Sequence, residues 1–281
     1  MSICGHIKGV TYSPIVVKII KSLHLRAPMR ALYYYFTKPK NNIRNIPFCG
    51  INAQFYTPTP LELRMVETPF SASMGDERKT LEKLLGEISE GDVVYDIGAN
   101  IGVQTVFMAK KTGAAGKVIA IEPESVSFHS LCMNIELNGL KNVLPIQVAL
   151  GKEIKESQLY SNKATGDCSL VNNLKAAPLQ ETSIIPGDDL VRKRNLPLPN
   201  IVEIDVEGYE YYVIEGLKDA LSQDKCRVVF CEIHPLFLPR DINAEQCIEL
   251  LKSYGFGRVE VYTRGDTLHA FFTRINNKNE N

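Results

Sequence analysis

The sequence predicts a doubly wound, Rossmann-like α/β fold with a mostly parallel sheet, and three observations carry this prediction. From residue 93 onward, short apolar runs of strand length alternate with segments of helical periodicity. The first run ends in a glycine-containing turn that leads directly into a helix. The last two runs are separated by a short turn, which is typical of an antiparallel hairpin. Strands that alternate with helices form a parallel sheet, and ligands bind at the carboxyl ends of its strands.

The elements follow one another in a regular order. Leu61–Val66 alternates like a strand, and the apolar spacing across residues 76–88 predicts a helix before the core. The predicted core strands are residues 93–97, 116–121, 142–150, 201–207 and 227–233. The predicted helices between and after them are residues 103–109, 125–138, 209–221 and 244–254. A final pair of strands, residues 259–262 and 269–273, is joined by the turn Thr263–Asp266.

Three segments divide the chain: an N-terminal extension of residues 1–60, an α/β domain of residues 61–274, and a tail of residues 275–281 that we expect to be disordered. Within the extension, residues 10–23 are apolar with interspersed lysines and predict an amphipathic helix. We expect this helix to pack on the main domain, with weak peripheral contact to a membrane as the alternative. No run reaches the ~18 consecutive apolar residues of a membrane span.

Composition is typical of a globular enzyme. The 281 residues are 44% hydrophobic, and 32 basic residues balance 32 acidic ones. Because no net positive charge attracts nucleic acid, a nucleic-acid partner is not expected. The seven cysteines are scattered without a C-x-x-C pair, which indicates neither a disulfide framework nor a zinc site. We therefore expect reduced thiols and a cytoplasmic location.

The loop Asp96-Ile97-Gly98-Ala99-Asn100-Ile101-Gly102 is the most informative motif. It joins a buried strand to a helix N-terminus, the arrangement that cradles a nucleotide-like ligand. Gly98 allows a positive φ, and Gly102 allows the helix to approach the strand closely. The spacing is neither the dinucleotide fingerprint nor a phosphate-binding loop. The Asp96 carboxylate would repel a pyrophosphate, but it suits a ligand with an ammonium group and no phosphate, such as S-adenosylmethionine.

The second strand also ends in an acid, Glu122, followed by Pro123. A carboxylate at this position can accept hydrogen bonds from both ribose hydroxyls. An isolated apolar run with a terminal Glu is more often a surface acid. Glu122, however, lies 24 residues after Gly98, and this spacing favours an adenosine-binding βαβ unit.

A second group of ionisable residues lies on the later strands. Glu203, Asp205 and Glu207 alternate with apolar residues, and Glu232 alternates with His234. If the two strands are neighbours, these side chains converge at the carboxyl edge of the sheet. Packed acids raise the pKa of at least one member, which is how a carboxylate or a histidine becomes a general base. The alternative is a set of solvated strand ends with a helix-capping Glu and a structural His.

Together, these motifs resemble the FkbM-type family of class I S-adenosylmethionine-dependent methyltransferases, which are mostly O-methyltransferases. The resemblance spans about residues 70 to 274. Its motifs are Asp96–Gly102, Val118–Pro123, Asn134–Leu140, Ala149–Gly151, Asp188–Leu190, Ile204–Gly208 and Glu232–Pro235.

The resemblance implies a role for each of the motif residues. The loop from Asp96 to Gly102, with Gly98, Ala99 and Asn100, holds the methionine part of S-adenosylmethionine. Glu122 and Pro123 lie at the ribose, and Val148 and Ala149 border the adenine. Asp205 and Glu207 lie between cofactor and acceptor, with Glu232 and His234 opposite.

An acceptor hydroxyl would attack the sulfonium methyl group while His234 or Asp205 removes its proton. The resemblance favours a sugar, a glycan or a related small molecule as the acceptor. The extension of residues 1–60 precedes the core and contains the aromatic cluster of residues 33–36, so we expect it to cover the acceptor side, with packing on the main domain as the alternative. N-methylation and a non-catalytic cofactor-binding protein are alternatives. Asp96 and the missing third glycine disfavour a nicotinamide-dependent oxidoreductase. The sequence predicts no oligomeric state.

One departure from the family concerns Glu203, because family members often have Lys there. The replacement makes this face of the sheet more acidic and leaves the identity of the base open. No dedicated metal site is predicted. A Mg²⁺ ion bound by these carboxylates is kept as an alternative, since hard oxygen ligands suit that cation.

Overall fold

A computed structural model of the protein describes residues 34–39, 41–70, 75–161, 168–172 and 177–275. Its centre is a sheet with the strand order β12-β13-β11-β10-β3-β4-β5. The strands are β3 (Val93–Ile97), β4 (Lys117–Ile121), β5 (Val143–Ile146), β10 (Ile201–Ile204), β11 (Val228–Ile233), β12 (Arg258–Arg264) and β13 (Thr267–Thr273). The run from β11 to β5 is parallel, and the hairpin β12–β13 pairs antiparallel with β11. This confirms the predicted fold class.

Helices cover both faces of this sheet. They are α1 (Pro60–Glu67), α2 (Gly75–Glu87), α3 (Val103–Thr112), α4 (Ser125–Leu137), α5 (Gly187–Arg194), α6 (Glu210–Gly216), α7 (Lys218–Leu221) and α8 (Ala244–Ser253). Because successive side chains of a strand point to opposite faces, each core strand contributes to two apolar layers. Tyr95 packs in the layer with α6, α7 and α8, whereas Val94 packs in the layer with α2 and α3. Burial on both faces explains why all five residues of β3 are buried.

The segment Leu61–Val66 was predicted to be a strand, and this is wrong: it lies in helix α1. Thr59 is the N-cap, its hydroxyl accepts a hydrogen bond from the Glu62 amide, and the Glu62 carboxylate accepts one from the Thr59 amide. Pro60 occupies the first helical turn. This reciprocal capping box starts the helix despite the alternating apolar pattern.

Ahead of α1, the hairpin β1 (Ile43–Phe48) and β2 (Ile51–Tyr56) packs on the main domain. Phe48 and Phe55 are buried, and both rings contact Phe107 of α3. The amide of Tyr56 donates to the side-chain oxygen of Asn134 on α4. This part of the predicted extension therefore belongs to the core of the domain. The proposed amphipathic helix of residues 10–23 lies outside the described residues, as do residues 276–281 of the predicted tail.

The predicted strand of residues 142–150 is in fact two strands. β5 ends at Ile146, and β6 (Ala149–Gly151) joins a separate sheet with β7 (Lys155–Ser161), β8 (Cys168–Ser169) and β9 (Ala177–Pro186) in the order β6-β9-β7-β8. The chain changes sheets at Gln147 and Val148, which places Val148 at the carboxyl end of β5. Sequence periodicity did not indicate this second sheet, because the strands β7 and β9 are largely polar and partly exposed.

Two further boundaries differ from the prediction. β10 ends at Ile204, so Asp205 and Glu207 follow the strand, and Glu207 has a left-handed φ of 52°. The alternation predicted for Glu203, Asp205 and Glu207 therefore stops within this loop. The predicted helix of residues 209–221 is divided into α6 and α7 at Leu217. Within the ranges that the structure describes, none of the helices combines the length and the hydropathy that a membrane span requires.

An ion pair lies at the amino ends of the sheet strands, opposite the predicted site. It joins Asp92, just before β3, to Arg227, just before β11. The Arg227 guanidinium donates to both carboxylate oxygens of Asp92, at 3.0 and 2.5 Å, and to the carbonyl oxygen of Glu87 at 2.7 Å. We expect Arg227→Ala to lower the free energy of unfolding by about 3 kcal/mol, because it leaves the largely buried Asp92 carboxylate without its cation, although the hydrogen bond from the Ser89 amide remains.

The control is Arg192→Ala, which removes a side chain that is 63% exposed and paired with Asp189 and Asp219. We expect it to cost less than about 1 kcal/mol, because exposed pairs are screened by solvent. Urea unfolding of the two variants measures both values. Equal losses would show that the Arg227 pair contributes no more than a surface contact.

Candidate active site

The predicted cofactor loop lies at the centre of the sheet, where the chain order reverses between β3 and β10. The amides of Gly98 and Ala99 donate to the carbonyl oxygen of Ile121, at 2.9 and 3.0 Å. The amide of Asp205 donates to the carbonyl oxygen of Ile97 at 2.9 Å. Ligands of open α/β sheets bind at such a point, outside the carboxyl ends of the strands.

Two glycines of this loop are required by its geometry. Gly98 has a φ of 95°, and a Cβ there would overlap the carbonyl oxygen of Asp205. Gly102 has a φ of 85° and begins α3, and a Cβ there would meet the Leu131 side chain. The loop can therefore approach β10 on one side and α4 on the other only because both positions lack side chains.

Glu122 is held in place by the backbone. Its two carboxylate oxygens accept hydrogen bonds from the amides of Asn100 and Glu124, each at 2.8 Å. One lone pair of each oxygen remains available, and the side chain lines the first of two clefts. Burial raises the pKa of Glu122 to about 7, although the two backbone hydrogen bonds oppose the shift.

The first cleft contains most of the predicted cofactor residues. The predicted residues that line it are Gly98, Asn100, Glu122, Pro123, Val148, Ala149, Asp205 and Glu207. Residues that the sequence did not indicate also line it: Ser127, Leu159, Cys168, Leu170 and Tyr209. Leu159, Cys168 and Leu170 come from the second sheet and the chain after it, so no sequence signal pointed to them.

The second cleft lies on the face of the sheet that carries Asp96. The predicted residues that line it are Asp96, Gly98, Ala99, Asn100, Asp205 and Glu232. Ionisable residues that were not predicted line it as well: Arg64, Glu77, Arg264 and His269. Arg264 pairs with Glu77 at 2.5 Å and with Glu232 at 3.5 Å. Gly102 and His234 are absent from the linings of these two clefts.

Asp96 and Glu203 form a buried pair of carboxyl groups. They are register partners on β3 and β10, and each side chain is 1% exposed. The Thr105 hydroxyl donates to Asp96, and the Gln104 side-chain amide lies 3.4 Å from Glu203. Burial, reinforced by the charge of Asp96, raises the pKa of Glu203 well above its usual range, and burial raises the pKa of Asp96 to about 6. Burial thus favours the neutral form of Glu203 over the ionised form.

His234 lies among four carboxyl groups. Its Nδ1 is 2.7 Å from Oε1 of Glu210, and its Nε2 is 3.5 Å from Glu207, 3.7 Å from Glu232 and 3.8 Å from Asp205. Burial alone would lower the pKa of His234, but the hydrogen bond to Glu210 and the charge of Asp205 raise it to about 10. The convergence predicted for Asp205, Glu207, Glu232 and His234 is thus present, and Glu210 completes it.

The charge state bears on the choice of base. A protonated imidazole has no lone pair with which to accept a proton at neutral pH. Asp205 lines both clefts, and burial together with the charge of Glu232 raises the pKa of its carboxyl well above the usual range. Asp205 lines both clefts and His234 lines neither, so position favours Asp205 of the two bases suggested by the sequence, with His234 beside it.

A parallel sheet with a glycine loop after its central strand, an acid after the next strand, and an ionisable cluster beside the loop defines a Rossmann-like methyltransferase. The chain belongs to the FkbM methyltransferase family, because the sequence profile of the Methyltransferase FkbM domain matches residues 96–257. The methyl donor of this family is S-adenosylmethionine. The backbone-held Glu122 and the glycine loop at the strand reversal fit its ribose and methionine parts.

Three similar proteins illustrate the relationship. The hexuronic acid methyltransferase AglP of Haloferax volcanii is 29% identical over 167 residues, which are 59% of this chain and 66% of that protein. The 31-O-demethyl-FK506 methyltransferase FkbM of Streptomyces tacrolimicus is 26% identical, covering 60% of this chain and 74% of that protein. The crystal structure of the methyltransferase FkbM from Methylobacillus flagellatus superposes with a TM-score of 0.48 at 16% identity, covering 66% of this chain and 44% of that one. The chain thus spans just under two thirds of the Haloferax protein.

The role of Glu122 can be measured by cofactor binding. An ionised carboxylate accepts ribose hydroxyls more strongly than a protonated one, so we expect the affinity for S-adenosylhomocysteine to increase as the pH rises through about 7. Glu122→Gln cannot ionise and should flatten this pH dependence. Glu122→Ala should weaken binding by about 1.5–3 kcal/mol. Calorimetry at several pH values gives all three results, and an unchanged pH profile in Glu122→Gln would contradict the assignment.

Proposed function

We propose that the protein transfers the methyl group of S-adenosylmethionine to a hydroxyl group of a sugar or glycan acceptor. The observation that carries this proposal is the meeting of the two clefts. Gly98, Asn100 and Asp205 line both of them. A cofactor bound along Glu122 in the first cleft and an acceptor in the second would therefore face each other across Asp205.

Each part of the site has a role in this reaction. When bound, S-adenosylmethionine supplies an electrophilic methyl group on its sulfonium sulfur. Glu122 holds the ribose, and the loop from Gly98 to Asn100 orients the methionine end. Asp205 is the group positioned to accept the proton of the attacking hydroxyl. Because the donor is already activated, alignment and deprotonation are the main contributions of the protein.

The lining of the second cleft supports a polyhydroxylated acceptor. Polar donors and acceptors around it come from Arg64, Glu77, Asp96, Glu232, Arg264 and His269. Such convergent polar groups fix the orientation of a ligand that carries many hydroxyls. The similarity to a hexuronic acid methyltransferase points to the same substrate class.

The test is a transfer assay with S-adenosylmethionine labelled in its methyl group. The acceptors are neutral sugars, hexuronic acids and glycans prepared from them, with primary amines as the comparison. We expect label in a sugar O-methyl ether, identified by NMR, together with release of S-adenosylhomocysteine. Label in an N-methyl product would replace the proposal with N-methylation. Cofactor binding with no transfer to any acceptor class would favour a non-catalytic binding protein.

A further inference from the structure

The imidazole of His234 is oriented in the way that a metal-binding histidine requires. Its side chain is 5% exposed, and its ring stacks on Phe237 with an interplanar angle of 4°. Nδ1 lies 2.7 Å from Glu210, whose same carboxylate oxygen accepts the Gly208 amide at 2.8 Å. A carboxylate that holds one ring nitrogen and leaves the other pointing into a site is the usual support of a metal-ligating histidine.

The other ring nitrogen of His234, Nε2, faces the carboxylates of Glu207 and Asp205 at distances longer than a good hydrogen bond. Nε2 of His234 is 3.5 Å from Oε2 of Glu207 and 3.8 Å from Oδ1 of Asp205, both longer than a good hydrogen bond. Oδ1 of Asp205 is shielded from solvent and has no hydrogen-bond partner in the described part of the chain. One ligand atom from each of the three residues lies within 4.8 Å of the others. A shielded polar atom without a partner is costly, so Oδ1 of Asp205 points to a missing ligand beside the Nε2 atom of His234.

The spacing and the charge both fit a divalent cation. Ligand atoms of a tetrahedral site with metal–ligand bonds of about 2.1 Å lie about 3.4 Å apart. Nε2 of His234 lies at similar distances, 3.5 and 3.8 Å, from the oxygens of Glu207 and Asp205. Glu210 and Glu232 add two further carboxyl groups around the same imidazole. Arg264 contacts this group of carboxyl groups through Glu232, at 3.5 Å, and it also pairs with Glu77 at 2.5 Å.

We propose that Asp205, Glu207 and His234 bind a first-row divalent transition-metal ion, such as Mn²⁺ or Zn²⁺, at the junction of the two clefts. The imidazole in the donor set selects these ions over Mg²⁺ and Ca²⁺, which prefer oxygen ligands alone. Asp205 places the ion beside the position of the attacking hydroxyl.

This inference rests on the proposed methyl transfer and refines its chemistry. Binding of the ion would displace the Nε2 proton of His234, because a ligating imidazole is neutral. The ion would then coordinate the acceptor oxygen and acidify its proton, which would pass to solvent water. The oxygen then forms the bond to the methyl carbon, and the electron pair of the broken carbon–sulfur bond remains on sulfur in S-adenosylhomocysteine. Asp205 holds the ion in this form of the reaction, instead of accepting the proton itself.

The test measures metal binding directly on the full chain. Protein freed of metal by a chelator, which is then removed, is titrated with MnCl₂ and ZnCl₂ by calorimetry, and with MgCl₂ and CaCl₂ for comparison. We expect one Mn²⁺ or Zn²⁺ per chain, bound at least tenfold more tightly than Mg²⁺ or Ca²⁺. Asp205→Asn and His234→Ala should each weaken binding more than tenfold. Glu210→Gln, which keeps all three ligands but loosens the ring, should weaken it by about 10–100-fold.

The matched control is Glu232→Gln. It removes a carboxylate that is as close to His234 Nε2 as Asp205 is, but it leaves the three proposed ligands unchanged. We expect less than a threefold change. A loss equal to that of Asp205→Asn would show a general charge effect and overturn the site, as would the absence of saturable Mn²⁺ or Zn²⁺ binding by the unmodified protein.

Circular dichroism melting identifies any variant that fails to fold. If His234→Ala does not fold, the metal affinity of Asp205→Asn provides the decisive comparison. S-adenosylhomocysteine binding by the metal-free protein separates the two proposals. If it binds while no metal does, only the metal site is wrong. If it does not bind in either state, the proposed methyl transfer fails.

Discussion

Gly98→Ala is expected to abolish cofactor binding and to reduce the free energy of unfolding by more than about 4 kcal/mol, among the largest effects of a single substitution. The added Cβ would overlap the backbone carbonyl oxygen of Asp205, which cannot rotate away as a side chain can. Relief would require the loop to separate from β10, and the two clefts meet at that contact. Thermal melting and calorimetry with S-adenosylhomocysteine measure the two effects.

Gly91→Ala provides the matched control for this prediction. Gly91 has a φ of 87°, close to the 95° of Gly98, but a Cβ there would have nothing within 4 Å. It should therefore show only the cost of a left-handed alanine, about 1–2 kcal/mol, with cofactor binding retained. If the two variants were equally stable and bound the cofactor equally, the close approach of Gly98 to Asp205 would not be a requirement of the fold.

Asp205→Asn is expected to lower kcat by about 10²–10⁴ on a verified acceptor, the usual contribution of a positioned general base. Asn keeps the size of the side chain but cannot accept the proton, nor can it supply a charged ligand to a cation. His234→Ala should also lower kcat, with little change in cofactor affinity, because its ring faces Asp205 and lines neither of the two clefts. Steady-state kinetics measures the effect of each substitution on methyl transfer, and S-adenosylhomocysteine binding measures its effect on cofactor affinity.

Glu203→Gln is the control for Asp205→Asn on the same stretch of chain. Burial and the charge of Asp96 raise the pKa of Glu203 well above its usual range, which favours the neutral form of this carboxyl group. A Gln side chain has similar size and can also donate to Asp96, and kcat should stay within about threefold of the wild-type value. A decrease as large as that of Asp205→Asn would assign the base to the Asp96–Glu203 pair. If Asp205→Asn and His234→Ala were both silent, the cluster would be structural.

The hairpin β1–β2 also changes the expectation for the N-terminal segment. The linings of the two clefts include Arg64, Met65, Thr68 and Pro69, and none of the described residues 34–60. Phe48 and Phe55 instead pack in the core against Phe107. A truncation that begins near Leu61 would therefore remove core packing, and loss of turnover would not by itself show a role in acceptor binding. Whether residues 1–33 cover the acceptor stays a prediction.

The sequence by itself determined those features that depend on local chemistry. Buried parallel strands require continuous apolar runs, so β3, β4, β10 and β11 were found close to their true positions. The loop around Gly98 and the acid Glu122 were found because a tight turn and a ribose contact need particular residue types at short spacing. The pairing of β10 with β11 then brought Asp205, Glu207, Glu232 and His234 together, as their positions at the strand ends suggested.

Only the tertiary structure decided which groups surround these residues. The capping box of Thr59 and Glu62 made a helix of an alternating segment, since a satisfied helix end outweighs a short apolar pattern. The second sheet, whose Leu159 lines the first cleft, forms from polar strands that have no clear periodicity. Arg264 and His269 reach the second cleft because the hairpin β12–β13 folds back beside β11. Contacts between segments this distant in sequence depend on chain topology, which no local pattern encodes.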